Sequence, residues 1–360
     1  MALLPTSVPA NFSTTVIYGD QNHTNHVCSE GESEEWIYTV IPVYILLITV
    51  LGIIFNVFVL MVFCLHKKAC TVAEIYLSNL AAADLVLMVC LPFWAVNASK
   101  RFNWPFGLFL CKVNNLCIKM NAYCSIYFLV LVSLDRYVAV VHTMSLERIR
   151  RSKYAKLGCV LVWGLGLLLS VPTFIYRELK HNSQSHALCY INTTNTEYLL
   201  TEGILTVFSF IIPISIISYC TVKIIQALNN RFLERVNSQK MEHKATTLVL
   251  AVLLAFLICW VPFHLGRIVE LLVRAEVLGG CSLINGIKIC NQIFTYLAFF
   301  NSVLNPILYV IVGKNFRNKV WEVFKQWSIK RTATLNITSM RSTLSRSLKF
   351  ENTSRQSASL

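Results

Sequence analysis

The sequence predicts an all-α membrane protein: a bundle of seven transmembrane helices followed by a short amphipathic eighth helix. Three observations lead there. Hydrophobic residues make up 55% of the 360-residue chain and charged residues only 14%, against about 25% charged in an ordinary soluble domain. Seven stretches are long and apolar enough to cross the hydrocarbon core, which takes about 20 residues each. The basic residues fall unevenly on the segments between them.

Taken in order, the spans are expected at about 37–64, 73–97, 108–141, 155–176, 198–226, 244–273 and 287–312. Residues 1–36 form a polar N-terminal segment without Lys or Arg. No cleavable signal pattern precedes the first span, which is expected to act as its own insertion signal. Pro42, Pro92, Pro172, Pro213, Pro262 and Pro306 lie inside spans, where neighbouring groups can satisfy the freed backbone. Residues 314–327 read as the amphipathic cytoplasmic helix and 328–360 as a Ser/Thr-rich disordered tail.

Orientation follows from the loops. One alternating set holds twelve Lys and Arg, from Lys67 and Lys68 through Arg148, Arg150 and Arg151 to Lys244; the other holds six, among them Arg177 and Lys288. The richer set is cytoplasmic, so the N-terminus lies outside and the tail inside. The net charge of +14 is then a property of cytoplasmic loops, and no nucleic-acid partner is expected. Asp20, Glu30, Glu32, Glu34 and Glu35 make the outer segment an acidic lip. Asn11, Asn22 and Asn192 stand in N-x-S/T triplets on the outer side and are expected to be glycosylated. Thirteen cysteines without a C-x-x-C pair exclude a zinc ribbon. No hydrolytic or transfer constellation is visible, so no enzyme is expected.

Polar residues within spans are costly, about 2.5–3.5 kcal/mol for an Asp at the centre, so their placement is informative. Asp84 sits in the second span, Asn56 in the first, Asn121 and Ser125 in the third, Asn301 and Asn305 in the seventh. Each amide alone reads as helix–helix glue. Together, an acid, several amides and a hydroxyl suit a hydrated network around a small hard cation such as sodium.

The third span ends in Asp135-Arg136-Tyr137, the sixth carries Cys259-Trp260-Val261-Pro262, and the seventh Asn305-Pro306-Ile307-Leu308-Tyr309. This set, in order and at the matching ends, resembles the rhodopsin-like G-protein-coupled receptors over about residues 37–327. The resemblance implies an activation switch in which Arg136 is held by Asp135 and Glu242 and turns to the G protein on activation. It also implies a rotamer switch at Trp260 above Phe256, a hinge at Pro262 and a contributing Tyr309. Asp84, Asn121, Ser125, Asn301 and Asn305 match the family's sodium site. Cys111–Cys189 and Cys28–Cys281 match disulfides of the family and of some of its peptide-receptor branches. One departure is Thr221, eight residues after Pro213, where the family usually has Tyr.

Family positions also narrow the ligand. The lysine of opsins is Phe299 here, and the aspartate of amine receptors is Ile118. The runs Thr71–Leu85 and Leu91-Pro-Phe-Trp94, with Trp104-Pro-Phe-Gly107 and Ile258–Phe263, look like the bradykinin receptor family. That resemblance implies a short basic kinin-type peptide as ligand, and signalling mainly through Gq, with Gi as a second class. Glu270 is expected at the outer mouth to receive the peptide's basic N-terminus. Lys119 or Arg177 is expected to receive its carboxylate, with Trp260, Phe263 and Glu202 completing the contact set. Lys288 stands where the family has an acid. The Ser- and Thr-rich tail is expected to be marked by receptor kinases and bound by arrestin. Two other readings remain open from the sequence: a chemokine- or angiotensin-like peptide receptor, and a cation transporter using Asp84.

Overall fold

The structure, a computed structural model, describes residues 37–66, 69–141, 152–181, 186–233 and 240–329, with side chains at 37, 228, 230–246, 281 and 285 excluded. The expectations for Asn11, Asn22, the acidic lip, the Cys28–Cys281 bridge, the Glu242 side chain and the tail therefore lie outside the described residues.

The helices are α1 (Ile37–Leu65), α2 (Val72–Ser99), α3 (Gly107–Val141) and α4 (Ser152–Tyr176). A hairpin of β1 (Arg177–His181) and β2 (Ala187–Ile191) follows. Then come α5 (Asn195–Thr206), a π turn (Val207–Ile211), α6 (Ile212–Leu233), α7 (Lys240–Arg274) and α8 (Cys281–Ile311). The α5–α6 pair makes a single span, Asn195–Ala227, so seven helical segments are long and apolar enough to cross a membrane. The backbone is helical again over residues 314–329.

Local chemistry explains the ends. Thr71 accepts from the Glu74 amide while the Glu74 side chain takes the Thr71 N–H, a reciprocal cap that starts α2. Thr194 and Glu197 do the same for α5, which is why it begins three residues before its expected start. α8 begins at Cys281 rather than about 287 because its first turns, with the polar Ser282 and Asn285 and with Gly286, extend the helix beyond the apolar stretch. At Gly313, which separates α8 from the last helical stretch, a Cβ would collide with the Tyr309 carbonyl.

The third span is the axis of the bundle: α3 packs on α2, α4, α6 and α7, while α1 and α8 close the ring beside α2. Lipid tails supply no hydrophobic drive between helices, so close approach matters. At Gly166 of α4 a Cβ would run into Cys124 Sγ of α3, so only glycine lets these two helices meet at this distance. Lipid-facing residues such as Val43, Leu47, Val160 and Leu168 stay more than half exposed.

At one end the hairpin lies across the bundle, with Leu179 opposite Cys189. The Cys111–Cys189 disulfide, Cα atoms 5.8 Å apart, pins it to the first turn and a half of α3. The Trp104 amide donates to the Ala187 carbonyl at 2.7 Å, and its indole N–H donates to the Gly107 carbonyl at 3.0 Å, at the start of α3. At the opposite end Phe316 is buried against Phe63 and Tyr309. Lys319 pairs with Glu74 at 2.8 Å and Glu322 with His66 at 2.9 Å.

Candidate functional site

A cavity opens at the hairpin end, between α3, α5, α7 and α8. Trp260 and Phe263 form its floor, with ring centroids 5.7 Å apart. Phe256 lies one turn deeper, fully buried and stacked on Trp260 at 5.7 Å. Pro262 sits between these aromatic rungs. His264, unsuspected from the sequence, stacks on Phe210 at 4.4 Å and on Trp260 at 5.9 Å.

The wall is charged. Lys119 of α3 lies 3.7 Å from Glu202 of α5. Arg267 of α7 ties three partners together: Glu202 at 3.2 Å, the Tyr198 hydroxyl at 2.8 Å and Glu270 at 2.6 Å. Arg274 reaches the other oxygen of Glu270 at 3.5 Å and lies over the Tyr198 ring at 4.2 Å. Asn291 donates to Glu270 at 3.3 Å. Arg177 donates to the Cys189 carbonyl at 3.2 Å. It pairs with no carboxylate among the described residues. Burial pulls its guanidinium down to about 10, which leaves it charged at neutral pH. Among the described residues three cations, Lys119, Arg177 and Arg267, and one carboxylate, Glu202, line the cavity, a formal surplus of two positive charges.

Lys119, Arg177 and Glu202 line the cavity as the sequence suggested. Glu270 does not. It is 7% exposed, absent from the cavity wall, and neutralised by Arg267 and Arg274. The carboxylate expected to receive the peptide's basic N-terminus is thus already paired, and one of its partners, Arg267, lines the cavity. Arg267 itself was not singled out from the sequence. Its signal was there, since Trp260, Phe263, Arg267, Glu270 and Arg274 recur at spacings of three and four and so share one helix face.

Below the aromatic floor Asp84 is fully buried. It accepts from Ser302 at 2.7 Å, Asn305 at 3.1 Å and Asn121 at 3.2 Å. Asn121 also reaches Ser125 Oγ at 3.3 Å. Asn301 is buried nearby in sequence but is not among the hydrogen-bond donors to Asp84; both its amide atoms lack partners, as does Asn305 Oδ1. Buried polar atoms without partners are costly. The orphaned Asn305 carbonyl oxygen, on the amide bonded to the Asp84 carboxylate, and the Ser125 hydroxyl reached by Asn121 are oxygen ligands of the kind a hard cation takes, so these residues fit sodium. Ser302, missed from the sequence, is simply the neighbour of Asn301.

At the far end of α3, Arg136 is buried and ion-paired with the adjacent Asp135. Tyr137 lies 5.9 Å from Tyr219 of α6. Among the described residues the buried Thr221 hydroxyl has no partner. Tyr309 is buried, and its hydroxyl has no partner among the described residues. Asn192, just past β2, is exposed and bonds Glu178 at 2.8 Å.

Comparison with known proteins agrees with this arrangement. Residues 55–309 match the family described as 7 transmembrane receptor (rhodopsin family). The chain is 45% identical over 302 residues to the human B2 bradykinin receptor, covering 83% of this chain and 77% of that one. It is 42% identical over 321 residues to the mouse B2 bradykinin receptor, with 88% and 82% covered. Against the B1 bradykinin receptor of Macaca mulatta it is 38% identical over 326 residues, with 87% and 90% covered. The chain therefore belongs to the rhodopsin family of seven-transmembrane receptors and, within it, to the bradykinin receptors, a family of receptors rather than enzymes.

Proposed function

We propose that the chain is a plasma-membrane receptor for a short kinin-type peptide, with its hairpin end and N-terminus outside the cell. The observation that carries the ligand reading is the surplus of positive charge in the cavity wall. Lys119 has only the shared Glu202, and Arg177 has no acid at all among the described residues. A peptide's terminal carboxylate would offset that surplus, and a charge-assisted contact in a desolvated wall is strong and directional. The peptide's basic end then meets the acidic segment of residues 20–35. Bradykinin receptors among the relatives favour a kinin over a chemokine or angiotensin.

Signalling follows from three layers of the same bundle. A peptide seated against Lys119 and Arg177 presses on Phe263, His264 and Trp260, the floor it touches. Their repacking moves α7 about Pro262. Arg136, closed on Asp135 in this resting arrangement, turns to a heterotrimeric G protein, mainly of the Gq class with Gi second, and calcium is released. Glu242 joins Asp135 in restraining Arg136. Asp84, Asn121, Ser125, Asn301 and Asn305 would hold a sodium ion whose charge stabilises the resting state. Receptor kinases and arrestin act on the Ser- and Thr-rich tail.

A calcium-release assay in transfected cells, with kinins as agonists and chemokines and angiotensins as controls, tests this reading. A response to kinins alone supports it. Silence to kinins with a response to either control overturns it.

A further inference from the structure

We infer that Glu202 is a built-in competitor for the ligand's carboxylate: in the resting bundle its own carboxylate holds Lys119, and the arriving peptide takes Lys119 over and so unlatches α3 from α5 and α7. The inference rests on the proposed docking of the peptide's terminal carboxylate at Lys119.

A single oxygen makes the latch. Glu202 Oε2 of α5 lies 3.7 Å from Lys119 Nζ of α3 and 3.2 Å from the Arg267 guanidinium of α7. All three side chains line the cavity. The two contacts differ in strength. Arg267 donates a hydrogen bond to that oxygen. Lys119 makes only an ion pair, longer than the about 2.7–2.9 Å of a direct ammonium–carboxylate bond. Lys119 is also the most accessible of the three, its side chain 29% exposed against 13% for Glu202 and 16% for Arg267. The weaker side of the latch is therefore the side a ligand can reach. A peptide carboxylate that closes to bonding distance on Lys119 gains more than Glu202 gives up.

What stays together when Lys119 lets go decides the consequence. Glu202 keeps Arg267, and α5 stays tied to α7 in other ways. Arg267 donates to the Tyr198 hydroxyl at 2.8 Å, Asn195 donates to the Arg274 carbonyl at 3.3 Å, and Arg274 lies 4.2 Å over the Tyr198 ring. The outer parts of α5 and α7 thus move as one body relative to α3. The π turn at Val207–Ile211 interrupts α-helical bonding about one turn inside Glu202, where α5 can bend. Arg267 lies about one and a half turns beyond Pro262, so the same movement reaches the hinge and the Trp260 floor. Lys119 is shared in the latched state and free in the unlatched one. The peptide carboxylate therefore binds the unlatched state better, which is the differential affinity a population shift requires.

The test uses the full-length receptor in cell membranes at matched surface expression. Ligand-independent GTPγS loading of G proteins and the affinity of one free-acid kinin are both measured. Glu202→Gln and Lys119→Gln should each raise ligand-independent loading severalfold, because each opens the same contact. For the same reason the double variant should load no faster than the faster single variant. Affinity should move in opposite directions: up severalfold in Glu202→Gln, where the competitor is gone, and down severalfold in Lys119→Gln, where the receiving cation is gone. A purely structural role for Glu202 would lower affinity in both. Should Glu202→Gln fail to reach the surface, Glu202→Asp replaces it. That change keeps the charge and draws it back by one methylene, and the same two shifts are expected at smaller size. Loading at the wild-type level in either single variant, additive loading in the double variant, or a fall in affinity on changing Glu202 overturns the inference. The loading arm is read without peptide, so failure of kinins to bind wild type would count against the kinin reading alone.

Discussion

Replacing Arg267 by Met is the perturbation that bears hardest on the cavity wall. The guanidinium bonds Glu202, Tyr198 and Glu270 at 3.2, 2.8 and 2.6 Å. Removing one partner from a buried pair costs roughly 3–5 kcal/mol, because the other charge is left in a poor solvent. Here the two acids keep some support: Glu202 retains Lys119 at 3.7 Å, and Glu270 retains Arg274 and Asn291. The low end, about 3 kcal/mol, is therefore expected. At about 2 °C per kcal/mol for a chain of this size, the Tm of the detergent-solubilised receptor should fall by about 6 °C. The double variant Arg267→Met/Glu270→Gln should recover part of that loss, with a coupling of about 1–3 kcal/mol, since it removes the charge the first change orphaned. A Tm drop under 1 °C for Arg267→Met, or strict additivity in the cycle, would refute the claim that Arg267 is the keystone of a buried network.

Three further outcomes are expected. Added sodium should lower agonist affinity in wild type through its preference for one of two states, and Asp84→Asn should abolish that dependence with no sodium flux in either protein; a sodium-sensitive Asp84→Asn receptor would contradict the cation site, and a sodium current would favour a transporter. Cys111→Ala should eliminate peptide binding at equal surface expression, since Cys111 anchors the hairpin over the cavity, whereas Cys28→Ala should reduce it less; equal binding by wild type and Cys111→Ala would show the bridge to be dispensable. Glu270→Gln should weaken full-length and N-terminally trimmed kinins by the same factor, because Glu270 acts on the ligand only by holding Arg267; selective loss for the full-length peptide in competition binding would mean that Glu270 touches the peptide's basic end.

The seven spans were legible because hydropathy summed over 20 residues survives any error in the placement of single side chains. The motifs at Arg136, Trp260 and Asn305 were legible because their meaning depends on position along a helix. What depends on rotation about the helix axis was not. Glu270 was placed at the mouth by its position near the top of its helix and by resemblance to the family, neither of which gives its partners; its side chain bonds Arg267 and Arg274 on its own helix face. Ser302 escaped because a lone serine in a span reads as apolar filler until its hydroxyl is seen 2.7 Å from Asp84. The π turn at Val207–Ile211 has no apolar period of its own; it shows only in the Phe208 carbonyl, which accepts from Tyr127 at 2.7 Å. The hairpin's alternation is weak, since β1 is mostly solvent-facing.

The measurement that bears most directly on the account is competition binding of one kinin with a free C-terminus and the same peptide amidated, on wild type, Lys119→Ala and Arg177→Ala receptors. The cavity carries its surplus positive charge at these two side chains, so amidation should cost wild type at least tenfold in affinity, about 1.4 kcal/mol. The penalty should shrink to a factor of two or less in at least one of the two variants. Equal affinity of free-acid and amidated peptides for wild type, or an undiminished penalty in both variants, would contradict the assignment of this wall to the peptide's carboxylate.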